Sequence, residues 1–234
     1  MNHYKMEVYY DGMNIEKYKD DLAITGFTTN CSILSASPDK NYRIFYQQNK
    51  GFFNNKAVSL QIWEDNYDIA VQQIVDIYSI NPAIFIKIPI INTKGETNTK
   101  LIQFALDRTM SINVTAIYTL EQIQLAYDLL KDSTVPHIVS VFAGPISDTG
   151  VDPSPFIVKA VELFKDIPNV KILWAGCREI YTLERAKQLG CHIITIPDGV
   201  IEKLKFKNYS LLQLSIERVK KFNSDAVSSS LTIL

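Results

Sequence analysis

A single lysine interrupts an apolar run that extends from Ile84 to Ile90. Such a run, rich in β-branched residues, is typical of a strand that is buried on both faces of a parallel sheet. Burial disfavours the charged form of an amine and lowers its pKa, and the free amine can then attack a carbonyl group to form a Schiff base. Lys87 is therefore a candidate nucleophile for a ketone or aldehyde substrate.

The same run allows a simpler interpretation. Lys87 would point to water from an edge strand, or its long side chain would extend out of the mouth of a barrel. Lysine is rarely buried, so the run taken alone favours this solvated lysine. The choice between the two interpretations depends on the residues that surround Lys87.

Polar residues also occur late in other apolar segments of the chain. If the strands form a parallel barrel, their carboxyl ends meet at one face, and that face carries the active site. The residues that would meet there with Lys87 are Asp11, Thr28, Asn30, Gln61, Asn113, Thr115 and the pair Cys177-Arg178. An amine, a carboxylate and several amides and hydroxyls are a set that could bind one carbonyl substrate.

Each of these polar residues has a structural alternative when it is taken alone. Asp11 suits a turn before Gly12, and the threonines and asparagines suit the hydrogen bonding of strand ends. Gln61 suits an internal layer of a barrel, where its amide would have a protein partner. Arg178 suits solvent, unless an anion binds between the seventh and eighth strands, as in many barrels.

Eight predicted strands alternate with helical segments along the chain. The strands are expected at residues 7–11, 26–30, 58–63, 84–90, 112–118, 137–144, 170–175 and 192–197. Their spacing is that of repeated β-α units, which predicts an α/β fold of the (β/α)8 TIM barrel type. One more amphipathic helix, at about 210–222, is expected after the barrel is complete.

Several helix ends are marked in the sequence. Pro38, in Ser37-Pro38-Asp39, predicts a helix start, Thr119 with Gln122 has the form of a capping box, and Gly190 suits a helix end. The short helix after the first strand is expected to begin near Asn14, and its apolar residues are Ile15, Tyr18 and Leu22.

The chain is expected to form one domain, because no linker, repeat or low-complexity segment divides it. We expect the domain, including the last helix, to cover residues 1–222. The tail at 223–234 is expected to be loosely ordered, although its apolar residues Leu231, Ile233 and Leu234 could pack on a neighbouring subunit.

The composition excludes several classes of partner. The chain has 234 residues and a formal net charge of −1, which gives no electrostatic reason to expect nucleic acid or an anionic membrane surface. No apolar run is long enough to span a bilayer, and the residues Met1-Asn2-His3-Tyr4-Lys5 do not resemble the start of a signal peptide. We therefore expect a cytoplasmic protein.

The cysteines and histidines are few and widely spaced. Cys31, Cys177 and Cys191 are an odd number of thiols in a chain without a secretory signal, so a disulfide framework is not expected. The histidines at positions 3, 137 and 192 do not cluster with cysteines or carboxylates at the spacing of metal ligands. We predict no metal site and no cofactor.

Three strings of the sequence resemble motifs of the transaldolase family, in particular its small, single-domain branch that includes fructose-6-phosphate aldolase. Phe27-Thr28-Thr29-Asn30-Cys31-Ser32 resembles G-[VF]-T-T-N-P-S, Ile86-Lys87-Ile88-Pro89 resembles [IV]-K-[IV]-P, and Ile112-Asn113-Val114-Thr115 resembles T-N-V-T. The strings occur in the same order at suitable spacing, and the resemblance runs from about residue 6 to residue 222.

The resemblance implies a role for each matching residue. Lys87 would form an imine with the carbonyl of a ketose, and Asp11 would relay protons during carbon–carbon cleavage. Asn30, Asn113 and Thr115 would hold the hydroxyls of a dihydroxyacetone unit and a catalytic water. The resemblance also implies a homo-oligomer, a pentamer or a decamer, whose contacts the helix after residue 210 could form.

Two positions, taken as a pair, belong fully to neither branch. Gln61 takes the place of the glutamate that orients water in transaldolases, as it does in the fructose-6-phosphate aldolase branch. Phe142 takes the place of the tyrosine of that branch, as in transaldolases. Because the catalytic water then lacks both the carboxylate and the phenol, more of the proton relay would fall on Asp11 and Thr115.

The phosphate site of the family is also altered. Its arginine after the sixth strand corresponds to Pro145 and its serine after the seventh to Gly176, which leaves Arg178 as the matching cation. Loss of a bidentate anion contact typically costs ~2 kcal/mol or more. A sugar phosphate would therefore bind weakly or through other residues, and an unphosphorylated or otherwise modified acceptor is possible.

We therefore expect a transaldolase-like class I aldolase that forms a lysine Schiff base with a ketose or ketose phosphate and transfers or releases a dihydroxyacetone unit. One alternative is a simple aldolase of the fructose-6-phosphate aldolase type, which Gln61 favours and Phe142 opposes. Another is a barrel that has lost turnover and serves in sugar binding or assembly.

Overall fold

Eight parallel strands close into a barrel in the computed structural model, which describes residues 5–18, 21, 23–38 and 40–233. Each strand pairs with its neighbours in sequence, and β8 pairs with β1 to complete the ring. The strands are β1 (Glu7–Asp11), β2 (Ile24–Thr28), β3 (Ala57–Gln61), β4 (Phe85–Pro89), β5 (Ile112–Ile117), β6 (His137–Val141), β7 (Val170–Trp174) and β8 (Ile193–Ile196). The predicted TIM barrel is confirmed.

Helices follow every strand. They are α1 (Ile15–Tyr18), α2 (Cys31–Ala36), α3 (Tyr42–Gln48), α4 (Lys50–Phe53), α5 (Tyr67–Ile80), α6 (Thr99–Leu106), α7 (Leu120–Leu130), α8 (Ala143–Asp148), α9 (Ser154–Phe164), α10 (Tyr181–Gln188), α11 (Asp198–Ile201) and α12 (Leu211–Ser228). A 3₁₀ helix, Glu202–Phe206, joins α11 to the segment before α12. Among the described residues, none of these helices is long and apolar enough to cross a membrane.

The segment after β2 differs from its prediction. The strand ends at Thr28 instead of residue 30, because Asn30 caps the unpredicted helix α2 through a bond from the Ile33 N–H to its Oδ1. Pro38 does not begin the next helix. That helix, α3, begins after Asn41, which caps it in the same way. A side chain that satisfies a free N–H group at a helix start outweighs the proline signal here.

Other boundaries were predicted closely or need correction. The capping box of Thr119 and Gln122 is present at the start of α7, and Gly190, with φ +78°, follows the end of α10. The sixth strand ends at Val141 instead of residue 144, because α8 begins directly after Phe142. The last helix runs to Ser228, so the ordered part of the chain extends beyond the predicted end at 222.

A few predictions fall on residues outside the described ranges. They concern the amino-terminal residues 1–4 with His3, the apolar position Leu22, Asp39 in the string with Pro38, and the last residue, Leu234.

Two apolar clusters form the core. The larger cluster lies between the strands and the surrounding helices, and a smaller one fills the barrel interior on the same side of the sheet as Phe85 and Lys87. The smaller cluster consists of Tyr9, Ile138, Leu173, Ala175 and Ile193. Side chains of this size close the lower part of the barrel, so the interior is a packed core and not a pore.

The ends of β6 and β7 touch through two glycines. A Cβ on Gly144 would lie only 1.6 Å from the carbonyl oxygen of Gly176, and Gly176 itself has a φ of +74°. The Gly144 N–H donates to the Ala175 carbonyl over 3.1 Å. Glycine is required at both positions, because one allows close contact of two backbones and the other adopts a left-handed conformation.

Candidate active site

Lys87 is buried near the carboxyl end of β4. Its side chain is 5% exposed, and its Nζ donates to the Thr29 carbonyl oxygen over 3.2 Å. Burial lowers the pKa of this ammonium group, while the negative charge of Asp11 and, to a lesser extent, the Cys31 thiol oppose the decrease. The neutral amine that a Schiff base requires is thus favoured by desolvation. The solvated lysine of the simpler interpretation is not observed.

Asp11, at the end of β1, is fixed by a chain of hydroxyl groups. Thr28 Oγ1 donates to the Asp11 carboxylate over 2.7 Å and also contacts Thr195 Oγ1 at 2.6 Å. Thr28 and Thr195 are buried, whereas Asp11 is partly exposed. The structure therefore places Thr28 behind Asp11, where its hydroxyl orients the carboxylate.

Thr115 is buried at the end of β5 and is paired in register with Pro89 of β4. Its Oγ1 has no hydrogen-bond partner among the described residues. An unpaired buried hydroxyl costs about 1–3 kcal/mol, so such groups usually have a functional explanation. This hydroxyl is free to bond a substrate or a water molecule.

Asn113 lies one pleat below Thr115 and beside Lys87 in register. Its amide is already bonded on both sides, because Nδ2 donates to Ser59 Oγ over 3.1 Å and Oδ1 accepts from Ser140 Oγ at 2.7 Å. All three residues are buried. These bonds hold the amide rigidly beneath the site.

Asn30, Gln61 and Phe142 line a cavity of about 980 Å³ at the carboxyl face of the barrel, together with Asp11. Asn30 uses Oδ1 to cap α2, which leaves its amide nitrogen for other contacts. The Phe142 ring centre lies 5.9 Å from Lys87 Nζ. Lys87 itself is not part of the cavity wall, but its ammonium group interacts with three groups that are.

Cys31 is a residue of the site that the sequence interpretation did not select. Its Sγ accepts from Gln61 Nε2 over 3.6 Å, it lines the cavity, and its thiol is close enough to Lys87 for their charges to interact. Burial raises the pKa of the thiol, and the charge of Lys87 opposes the increase. The signal was present in the sequence, since Cys31 replaces the proline of the motif.

Tyr118 is a second residue that was missed. Its ring centre lies 5.4 Å from that of Phe142, in the loop that follows β5. Nothing in the motifs marks this position. Only the folded structure brings its ring against Phe142 and its phenol within reach of the charges of Arg178 and Asp148.

Arg178 is exposed, and its charge reaches the phenol of Tyr118. Its guanidinium forms an exposed ion pair with Asp148, with Nη2 2.7 Å from Oδ2, and it does not line the cavity. Gly176 and Pro145 form the contact between the β6 and β7 loops. Of the residues predicted for the site, Arg178 is the one that the structure sets apart from the others.

The residues that the structure describes contain no group of three or more His, Cys, Asp or Glu side chains that could hold a metal ion. Within that part of the chain, the three cysteines are free thiols. The groups that line the cavity include two carboxylates, amides, hydroxyls and the Cys31 thiol, and the Lys87 amine interacts with Asp11, Cys31 and Phe142.

The fold and the cavity define a TIM-barrel protein whose small-molecule site, at the carboxyl ends of the strands, contains a buried amine. A sequence profile of the Transaldolase/Fructose-6-phosphate aldolase family matches residues 8–232. The chain belongs to this family, and it is an enzyme of the transaldolase/aldolase type.

Curated relatives agree with this assignment. A "Probable transaldolase" of Syntrophomonas wolfei subsp. wolfei is 26% identical over 224 residues, which cover 94% of this chain and 98% of the relative. Another "Probable transaldolase", of Nitrosopumilus maritimus, is 24% identical over 221 residues, which cover 92% of this chain and 94% of the relative.

Solved structures share the fold. An HpcH/HpaI aldolase from Desulfitobacterium hafniense DCB-2 superposes with a TM-score of 0.53 at 11% identity, covering 96% of this chain and 92% of that one. A mandelate oxidase variant with an FMN adduct gives a TM-score of 0.56 at 11% identity, covering 79% of this chain and 58% of that one. At such identities the likeness extends to the barrel alone.

Proposed function

We propose that this protein is a class I aldolase of the transaldolase type, which binds a ketose through a Schiff base on Lys87 and transfers or releases a dihydroxyacetone unit. The observation that carries the proposal is the buried Lys87 amine, whose pKa is lowered by desolvation and which lies near the Asp11 carboxylate. Membership of the family supports the same chemistry.

The first half of the reaction uses Lys87 and Asp11. Nζ forms a bond to the carbonyl carbon of the ketose, and the carbonyl oxygen leaves as water, so that a protonated imine remains. Asp11 accepts the proton of the hydroxyl on the carbon β to the imine. The bond between the α and β carbons then breaks, its electron pair moves toward the imine to give an enamine, and the β carbon leaves in an aldehyde.

The second half either transfers or releases the bound unit. In transfer, the enamine carbon forms a bond to the carbonyl carbon of another aldehyde, and the new hydroxyl takes up the proton from Asp11. Water then hydrolyses the imine of the new ketose, which frees the product and the Lys87 amine. In release, the enamine carbon takes up a proton and water hydrolyses the imine. We assign Thr115 and Gln61 to the orientation of water, and Thr28, Asn30, Asn113 and Phe142 to the shape and polarity of the substrate site.

Borohydride trapping tests the proposal. Dihydroxyacetone and borohydride should leave one reduced adduct on Lys87, detected by peptide mass spectrometry, and Lys87→Met should abolish both the adduct and aldol activity. Lys56→Met is the matched control, because burial also lowers the pKa of Lys56 while its Nζ lies over the Phe52 ring, away from the cavity. The proposal is wrong if Lys87 stays unmodified.

Transfer and release are separated by an acceptor. If the enzyme transfers the unit, cleavage of a ketose should be slow alone and should increase when an aldehyde acceptor is added. A rate that does not depend on the acceptor would favour the simple aldolase, in agreement with Gln61. Sugar binding without an imine would instead favour a barrel that has lost turnover.

We also propose that the chain forms a homo-oligomer, a pentamer or a decamer, through α12. In the part of the chain that the structure describes, this helix buries none of its residues, although it carries exposed apolar side chains. These include Leu211, Leu212, Val219, Phe222 and Val227. An apolar helix surface of this kind typically marks a contact with another protein chain.

Size-exclusion chromatography with light scattering tests the assembly. Val219→Asp, at a side chain that is 61% exposed on α12, should reduce the oligomer to smaller species. Val151→Asp is the control, because Val151 is 49% exposed in the segment before α9. A monomeric wild-type protein would contradict the proposal.

A further inference from the structure

The charges around the cavity do not suit an anionic substrate. Among the described residues that line it, Asp11 and Asp198 carry carboxylates, and none is a lysine or an arginine. A phosphate group inside this cavity would meet two carboxylates and no cation in the lining, and burial of an unpaired charge is unfavourable.

The place where TIM barrels often bind phosphate is occupied by a carboxylate. That place is the amino-terminal end of a short extra helix after the last strands. Here the helix is α11, and its first residue is Asp198. The Asp198 carboxylate accepts bonds from Tyr10 Oη at 2.9 Å and Tyr18 Oη at 2.6 Å, and it lies 3.8 Å from Lys17 Nζ. The two tyrosine hydroxyls there are already bonded to a protein carboxylate, and Lys17 pairs with both Asp198 and Glu202.

The loops after β6 and β7 offer no better anion site. The backbones of Gly144 and Gly176 are in contact, and Pro145, which has no N–H group, packs against Gly176. The Gly144 N–H donates to Ala175, and the Arg178 guanidinium pairs with Asp148. The contact between the two glycines, the Gly144 N–H and the Arg178 Nη2 group are thus used within the protein.

We propose that both substrates of this enzyme are uncharged: a polyhydroxy ketone as donor and an unphosphorylated aldehyde as acceptor. This inference rests on the Schiff-base function proposed above and specifies its substrates. The amide of Asn30, the amide of Gln61 and the hydroxyl of Thr115 are the polar groups that suit sugar hydroxyls.

A matched pair of acceptors tests the inference on the full-length protein. With dihydroxyacetone as donor, D-glyceraldehyde should be used with a kcat/KM at least tenfold higher than D-glyceraldehyde 3-phosphate. A ratio below ten, or a preference for the phosphate, overturns the inference. Borohydride trapping with dihydroxyacetone alone reports separately on the Schiff base. If Lys87 carries the adduct but the ratio of the two kcat/KM values is below ten, only the inference of uncharged substrates is refuted. If no adduct forms, the proposed function is refuted and this inference with it.

Charge-neutralising variants test the physical cause. Asp198→Asn removes the charge, keeps an oxygen acceptor for one of the two tyrosines, and should decrease the preference for the uncharged aldehyde at least threefold. Asp148→Asn removes the ion-pair partner of Arg178 and should also decrease the preference for the uncharged aldehyde. Glu184→Gln is the control, because Glu184 forms a similar exposed ion pair, with Lys207 at 3.1 Å, and does not line the cavity. If both variants fold and leave the preference unchanged, the inference is wrong.

Discussion

Thr115 stands out among the polar residues at the carboxyl ends of the strands. The carboxylate of Asp11 and the amide of Asn113 have protein partners, whereas the Thr115 hydroxyl has none among the described residues. Such an arrangement lowers stability, and it is common where a group is kept for a substrate. A substitution that removes the Thr115 hydroxyl should therefore affect stability and catalysis in opposite directions.

We expect Thr115→Val to stabilise the protein by about 1 kcal/mol, because it removes an unpaired buried hydroxyl. The same change should lower kcat about 100-fold if the hydroxyl positions the catalytic water. Denaturant unfolding and initial rates measure the two effects.

Thr25→Val is the control, since the exposed Thr25 hydroxyl donates to the Val8 carbonyl. It should cost about 0.5 kcal/mol and leave kcat unchanged. Full activity of Thr115→Val would contradict the assigned role.

The residues of the site could be selected from the sequence only in part. Lys87 was identified because charge inside an apolar run is conspicuous, and Asp11 because it ends a strand. Cys31 and Tyr118 were missed, since neither type of residue is unusual in its local sequence. Arg178 was selected because it follows a predicted strand, and the resemblance made it the matching cation, but its pairing with Asp148 depends on two loops that are distant in the chain.

At the scale of elements, the contact between the β6 and β7 ends is the tightest constraint near the cavity. Gly144→Ala would place a Cβ 1.6 Å from the Gly176 oxygen, and backbone cannot move aside as a side chain can. We expect a loss of ~3 kcal/mol in the free energy of unfolding, measured by denaturant titration.

Gly51→Ala provides the comparison for this prediction. Gly51 lies in α4, where an added Cβ would meet nothing within 4 Å. Here alanine should stabilise the protein by about 0.5 kcal/mol through its higher helix propensity. Equal effects at the two positions would show that the loop contact is not as tight as the structure indicates.

The order and type of the main elements follow from the sequence, because apolar periodicity is strong in a barrel with two buried layers. The short helices α2, α4, α8 and α11 were not predicted. Helices of four to six residues have little periodicity, and they form where caps and strand ends fix the chain. The last helix was predicted to end at about residue 222, because the polar residues that follow suggested a tail, whereas it ends at Ser228.

At the scale of the whole molecule, stability in acid depends on buried imidazoles. His137 Nδ1 accepts from the Ile112 N–H at 3.2 Å and Nε2 contacts Ser133 Oγ at 2.6 Å. Burial lowers the pKa of His137 from 6.5 to about 4. The unfolded chain therefore takes up a proton below its ordinary pKa, where the folded chain does not, and stability is lost as the pH falls.

Between pH 7 and pH 5, this single group should lower the free energy of unfolding by about 2 kcal/mol. Unfolding titrations at the two pH values measure the decrease. His137→Gln, which keeps a hydrogen-bonding side chain that does not titrate, should reduce the decrease by the same amount. His192, whose pKa is also lowered by burial, remains in the variant and contributes the rest. An unchanged dependence on pH would contradict this assignment.

Some properties of the whole molecule stay predictions from the sequence. They are the single domain, the cytoplasmic location and the number of subunits. Each depends on surroundings or partners that one chain does not contain, whereas the barrel is determined by contacts within the chain.

The plug of Tyr9, Ile138, Leu173, Ala175 and Ile193 gives the barrel a solid floor. This packed layer closes the barrel below the site, so a ligand would reach the Lys87 amine from the carboxyl face, where the cavity lies. Under the proposed mechanism, the aldehyde product must leave through this face before an acceptor aldehyde enters through it, so the two half-reactions would follow one another.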